Sequence, residues 1–254
     1  MNRILKSESN RDRLGLALLH LVLLVVLWTA LGGQFAANEN YDYLCCYEPS
    51  ARNLIEGRGF VYNNGYFADM YPPGYPLVVS VALMGGKIVG LNAAHRILIA
   101  IFSLTTILLV YSAVRRLGSR QWALLAGALA GSYPFLLWIG KQPNSESPFI
   151  PVMAAAFYCF IRTLGSDRPA GWAIAAGLCT GLACMFRSIG IFSVLAFVGA
   201  LILAGRQFSF ARRIVLAAGM LAAHVAAITP WEVILFNNGG FALLGRNVGA
   251  GYLD

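Results

Sequence analysis

Seven long apolar stretches, at residues 14–33, 97–114, 121–139, 148–164, 170–186, 189–205 and 213–230, recur along this 254-residue chain with little between them. Each has about the 17–25 residues that a helix needs to cross the hydrocarbon of a bilayer. Inside lipid a backbone must satisfy its own N–H and C=O groups, which for segments of this kind means helices packed into a bundle. The gaps are too short for a soluble domain. Residues 1–254 therefore read as a single polytopic domain of all-α integral membrane class, with about seven transmembrane helices. Only 12% of residues are charged and the mean hydropathy is +0.66, whereas a soluble domain has about 25% charged residues. The formal charge of +8 does not point to nucleic acid, because the Lys and Arg residues fall between apolar stretches instead of forming a stripe.

The opening MNRILKSESNRDRLGLALLHLVLLVVLWTA has a basic lead and an apolar run too long for a cleavable signal, so it reads as an uncleaved anchor with a cytoplasmic tail at 1–13. An eighth apolar segment, PLVVSVALMGGKIVGL at 76–91, is short, holds a Gly pair and carries Lys87. Basic residues gather at the cytoplasmic ends of spans. If 76–91 does not cross, the inner segments hold Arg3, Lys6, Arg11 and Arg13, then Arg115, Arg116 and Arg120, then Arg162 and Arg168, then Arg206, Arg212 and Arg213. If it crosses, Arg115, Arg116, Arg120 and Arg206 face outward. We therefore read 76–91 as a helix lying in the interface or dipping into the outer leaflet. Acidic residues barely influence topology, yet eight of the eleven (Glu39, Asp42, Glu48, Glu56, Asp69, Glu146, Glu232 and Asp254) then fall outside. Chemistry is expected on the extracytoplasmic face.

The first outer loop, 34–96, is too long for a simple connection and is expected to be functional. Within it EPSARNLIEGRGF reads as a short amphipathic interfacial helix: Pro49 is near its start, Ala51, Leu54 and Ile55 form its apolar side, and Gly57 stops it. YPPGYP at 71–76 is expected to run rigid and extended, with its aromatic rings at headgroup level.

An acidic residue soon after the first span, then ARNLIEGRGF, YPPGYP, NSESPF, GLACMFRSIG and ITPW follow in order. This series resembles the lipid-linked-sugar glycosyltransferases of GT-C fold. More narrowly, it resembles the family of protein O-mannosyltransferases, lipid A aminoarabinose transferases and related bacterial core-sugar transferases. The resemblance implies transfer of a sugar, with inversion, from a polyprenyl-phosphate donor to a glycan, lipid or protein acceptor, in contact with membrane lipids and in a bacterial inner membrane. On that resemblance Asp42 takes the general-base position. Glu146 takes the second acidic position, where it would orient the acceptor, share a divalent metal with Asp42, or cap a helix. Arg187 takes the basic position suited to a lipid phosphate. Glu48 and Asp69 are rival carboxylates to Asp42, Tyr71 and Tyr75 are further substrate-binding candidates, and Lys87 and Arg96 are secondary phosphate ligands. The resemblance leaves the need for a metal open.

After ITPW the family carries an Arg-Asn pair, where this chain has Glu232 and Asn237-Asn238. The chain also stops early against the family, so it reads as an N-terminal part, a truncated product or a minimal relative, with an outer loop at 231–254. Other readings are a small-solute transporter or a membrane protein without catalysis. A transporter would show mid-membrane charges and repeat symmetry, and neither is visible here. No Gly-rich phosphate loop is present, which disfavours a nucleotide-sugar donor. Cys45, Cys46, Cys159, Cys179 and Cys184 form no metal pattern, and His20, His95 and His224 read as packed or interfacial residues.

Overall fold

A computed structural model describes residues 3–30 and 41–238. Its elements are α1 (Arg3–Ala30), a π-helical turn (Tyr43–Tyr47) running into α2 (Glu48–Ile55), then α3 (Gly74–Val89), α4 (Leu91–Leu117) and α5 (Arg120–Ser132). They continue with α6 (Pro134–Ile139), α7 (Glu146–Leu164), α8 (Pro169–Cys184), α9 (Ile191–Ala204) and α10 (Phe210–Asn237). Glu39, Arg246 and Asp254, with most of the expected outer loop at 231–254, lie outside the described residues.

Four helices are long and apolar enough to cross a membrane: α1 from Glu8, α4, α7 and α10. They carry the expected spans at 14–33, 97–114, 148–164 and 213–230. The other three expected spans have shorter or divided helices. The stretch 121–139 breaks at Tyr133, which is extended (ψ 120°), because Pro134 disfavours a helical conformation in the residue before it and has no N–H to donate. Helix α8 has 16 residues and α9 has 14. At the start of the chain the basic lead is part of α1 from Arg3 onward, so it is not an unstructured tail.

The eighth segment forms α3, which ends at Gly90 (φ +86°). That left-handed residue lets α4 begin at once in a new direction, a conformation that suits glycine. The motif preceding α3 behaves differently from the extended path expected of it. The helix starts inside YPPGYP: Pro73 is already helical at the N-cap and Pro76 sits in the first turn, where its missing N–H removes no intrahelical bond.

Two polar clusters define the ends of the bundle. At one end Arg120 donates to both Asp12 oxygens at 2.8 and 2.6 Å, Tyr111 donates to Asp12 at 3.0 Å, and Arg13 lies over the Tyr111 ring. At the other end Trp28 donates to the Gly140 carbonyl at 2.9 Å and Arg96 lies over the Trp28 ring. The histidines are packed and hydrogen-bonded: His20 to the Gly131 carbonyl at 2.8 Å, and His224 to Thr180 at 3.0 Å.

The tightest helix crossing is α8 on α10. Gly177 and Gly181 share one face of α8, and a Cβ on Gly181 would lie 2.6 Å from the Ala227 Cβ and 2.7 Å from the His224 carbonyl. A Cβ on Gly177 would meet the Met220 carbonyl. This small-xxx-small pattern brings two backbones together so that dispersion holds the helices, with the buried Thr180–His224 hydrogen bond added between them.

Candidate active site

Residues 41–73 fold over the end of the bundle that carries Trp28 and Arg96. Helix α2 buries Pro49, Ser50, Ala51 and Asn53. Of the expected apolar side, Ala51 is buried and Leu54 half-buried, whereas Ile55 is exposed and Asn53 is buried instead. The reason is Asn53, which fastens the following chain: its Nδ2 donates to the Val61 and Tyr62 carbonyls at 2.8 and 3.2 Å, and its Oδ1 accepts from Arg58 at 2.7 Å. A buried amide with these partners is satisfied, and the three bonds hold residues 58–62 in place.

Residues 60–67 form a tight reversal. The Tyr62 N–H donates to the Tyr66 carbonyl at 2.9 Å, the Gly65 N–H donates back to the Tyr62 carbonyl at 3.0 Å, and Gly65 has φ +80°. A left-handed glycine closing a three-residue loop is a common hairpin geometry. The reversal brings Phe60 and Phe67 against Trp231 at 5.3 and 5.8 Å between ring centroids. The tryptophan of ITPW is thus a docking post for the first loop, a role that sequence order alone did not indicate. The next segment is anchored on α8: the Gly74 N–H donates to the Met185 carbonyl at 2.7 Å, and a Cβ on Gly74 would meet that same carbonyl.

Inside this clamp sits a cluster of phenols. Tyr43, Tyr47, Ala51, Tyr75 and Val79 are buried together, with Tyr71 and Phe186 packed against them. Tyr47 stands 4.9 Å from the Tyr71 ring and edge-on to Tyr75 at 4.8 Å. The rings of YPPGYP therefore turn inward onto the cluster. Tyr75, only 3% exposed, is a packing residue in this structure. Tyr43 is hydrogen-bonded to His95 at 2.9 Å, joining the π-helical turn to α4. Such turns recur at functional sites.

Asp42 immediately precedes that turn, and its Oδ1 accepts from the Tyr71 hydroxyl at 2.8 Å. Burial, followed by the hydrogen bond to Asp42, pushes the Tyr71 phenol well above its ordinary range. Burial also pushes Tyr47 up to about 12, opposed in part by the neighbouring Ser145 hydroxyl. Asp42 is bonded to Tyr71, Phe186 beside Arg187 packs on the same phenol cluster, and Arg187 pairs with Glu146, so three positions spread over 145 residues of sequence are tied to one cluster.

Glu146 opens α7 and forms an ion pair with Arg187, which also donates to Ser145 at 3.2 Å. The cap of α7 belongs to another residue: Asn144 Oδ1 accepts from the Ser147 N–H at 2.9 Å and from its hydroxyl at 3.0 Å. Glu146 keeps only the favourable placement of a carboxylate near a helix N-terminus. Arg187 lies in the extended link between α8 and α9, about two-fifths exposed along its side chain.

The other candidates fall around this centre unequally. Glu48 is taken by Arg52 at 2.9 and 2.6 Å in an i,i+4 pair. Asp69 lines a cleft with Tyr71, Met185, Ser188, Trp231 and Glu232. Lys87 is exposed in the last turn of α3, about 18 Å along the helix from Tyr75 at 1.5 Å per residue. Arg96 sits on α4, one residue from the Tyr43 partner His95. Among the described residues no group of three or more His, Cys, Asp or Glu is placed to hold a metal ion. Glu146 is already engaged by a guanidinium, so these side chains do not fit a protein-built metal cage.

Residues 72–231, nearly the whole span from the Tyr71 clamp to the Trp231 post, match the family model described as dolichyl-phosphate-mannose-protein mannosyltransferase. The chain belongs to that family. The fold agrees with the GT-C membrane transferases. A Saccharomyces cerevisiae structure, the protein O-mannosyltransferase Pmt1-Pmt2 complex bound to the sugar donor, aligns over 91% of this chain with a TM-score of 0.65 and 19% identity. The chain spans only 33% of that neighbour's length. No curated protein matches the chain. The mannosyltransferase family model begins at Pro72, so it covers Glu146 and Arg187 but not Asp42.

Proposed function

We propose that this protein is a membrane glycosyltransferase that moves a sugar, with inversion, from a polyprenyl-phosphate donor to an acceptor hydroxyl on the extracytoplasmic face, with its N-terminus in the cytoplasm. The observation that carries this reading is that Asp42, bonded to Tyr71, and the Arg187–Glu146 pair, next to Phe186, meet one phenol cluster at one end of a membrane bundle. In the reaction the acceptor oxygen attacks the anomeric carbon while its proton passes to Asp42. The bond from that carbon to the phosphate oxygen breaks, and the electron pair leaves with the lipid phosphate. Arg187 stabilises that charge, since a guanidinium presents its donors in a planar fork suited to phosphate oxygens. Glu146 holds Arg187 in place between turnovers. The mannosyl group and a protein acceptor are the first pair to try, because the family description names them.

Two results test this. Arg187→Ala raises KM for dolichyl-phosphate mannose about tenfold to hundredfold, the range expected for a hydrogen bond to a charged group, measured as mannose transferred to a serine- and threonine-containing peptide. An unchanged KM rejects the phosphate assignment. A reporter inserted at Asn64, in the exposed hairpin loop, reads as extracytoplasmic. A cytosolic signal overturns the sidedness. The Asn64 result also decides the sidedness of the proposed outer-loop reading of residues 34–96 and of the interfacial placement of α3.

A further inference from the structure

The Asp42 carboxylate is oriented by phenols. Tyr71 donates to its Oδ1 at 2.8 Å, and the Tyr71 ring rests on Tyr47 at 4.9 Å. Tyr47 is itself immobilised: it is 4% exposed, edge-on to Tyr75 at 4.8 Å, and its hydroxyl faces Ser145. Ser145, also 4% exposed, accepts from Arg187 at 3.2 Å. A continuous line of contacts therefore runs from guanidinium to carboxylate through two phenols and a hydroxyl.

The direction of each contact matters. Tyr47 and Tyr71 are both held well above the ordinary phenol range, chiefly by burial. They stay protonated at any working pH, so Tyr71 is a permanent donor to Asp42. A general base must sit within a few tenths of an ångström of its productive position. Asp42 has a helical backbone at the start of the π-helical turn, which fixes where its side chain begins but not its carboxylate rotamer. The Tyr71 bond to one oxygen restrains that rotamer.

We propose that Tyr71 is the positioning residue of the Asp42 base and that Tyr47 and Ser145 tie its place to Arg187, so that base and phosphate ligand work from one rigid frame. This rests on the reading of Asp42 and Arg187 given above; it gives Tyr71 a positioning role in place of the substrate-binding one expected of it, and it adds Tyr47 and Ser145. The frame also explains why Gly74 approaches the Met185 carbonyl so closely: that contact fixes Tyr71 relative to the α8–α9 link carrying Arg187.

Tyr71→Phe keeps the ring on Tyr47 and removes the donor. With dolichyl-phosphate mannose and the peptide as probes, kcat falls about tenfold to hundredfold while KM for the donor stays within about twofold. A residue needed only for folding does not produce this split between kcat and KM. Tyr47→Phe also lowers kcat, and the two changes together cost less than the product of their separate effects, as expected of groups in one network.

A readout without turnover comes from infrared spectroscopy of the full-length protein in detergent. The carboxylate stretch that disappears in Asp42→Asn shifts in frequency in Tyr71→Phe. An unshifted band, or a Tyr71→Phe protein with wild-type kcat, overturns the positioning role. Full activity in Asp42→Asn instead overturns the base assignment, so the two failures are separable. Tyr71→Phe that elutes with the wild-type profile from size-exclusion chromatography excludes misfolding as the cause.

Discussion

Asp42→Asn lowers sugar transfer by about 10²–10⁴-fold, the usual contribution of a general base, and leaves the protein inserted and folded. The substitution separates two things a carboxylate does here. Its Oδ1 accepts from the Tyr71 hydroxyl at 2.8 Å, and an amide oxygen of the same shape accepts that bond equally well. What Asn cannot do is take a proton from the acceptor as the bond to the sugar forms. The phenol cluster therefore stays assembled while the chemistry stops. Release of lipid phosphate from dolichyl-phosphate mannose, measured beside a size-exclusion profile, checks both halves. Glu48 provides the matched control, since it is committed to Arg52 at 2.9 and 2.6 Å. Glu48→Gln changes the rate by less than about twofold, in keeping with the small worth of exposed i,i+4 pairs. Full activity in Asp42→Asn, or loss of activity in Glu48→Gln alone, transfers the base role away from Asp42.

The second large effect lies far from the chemistry. Gly177→Leu destabilises the bundle by about 3 kcal/mol or more, at or beyond the upper range for overpacking. The first atom of any side chain at Gly177 meets the Met220 carbonyl of α10, and a Cβ at Gly181 would stand 2.7 Å from the His224 carbonyl. Backbone on backbone leaves nothing flexible to move aside, so α8 must withdraw from α10. That separates the link carrying Arg187, which follows α8, from Trp231 on α10, on which Phe60 and Phe67 rest. Both halves of the clamp over Asp42 lose their base together. The check is the thermal midpoint in detergent, with Gly199→Ala as comparison, because nothing lies within 4 Å of a Cβ there. A Gly177→Leu midpoint equal to that of wild type removes the close crossing as the source of stability.

The fold class was legible in the sequence. Hydrocarbon demands long apolar helices, so the all-α class and the spans carried by α1, α4, α7 and α10 follow from composition and spacing, whereas the count of seven does not. Acidic residues beside a first span, Glu146 at a helix start and Arg187 after an apolar run also follow from order along the chain. Only tertiary structure decided what these residues face. Linear spacing carries no information about which ring meets which carboxylate. The partnership of Tyr71 with Asp42, the pairing of Glu146 with Arg187, the docking of Phe60 and Phe67 on Trp231 and the inward turn of Tyr75 all depend on contacts between segments far apart in sequence. The breaks were only partly readable: Pro134 marks the interruption of 121–139, but the helical start of α3 inside YPPGYP depends on Gly74 finding the Met185 carbonyl. Long apolar runs respond to the solvent, which sets where most of the helices form. Side-chain partnership responds to shape and to hydrogen-bond geometry between helices, which exist only once the bundle has closed.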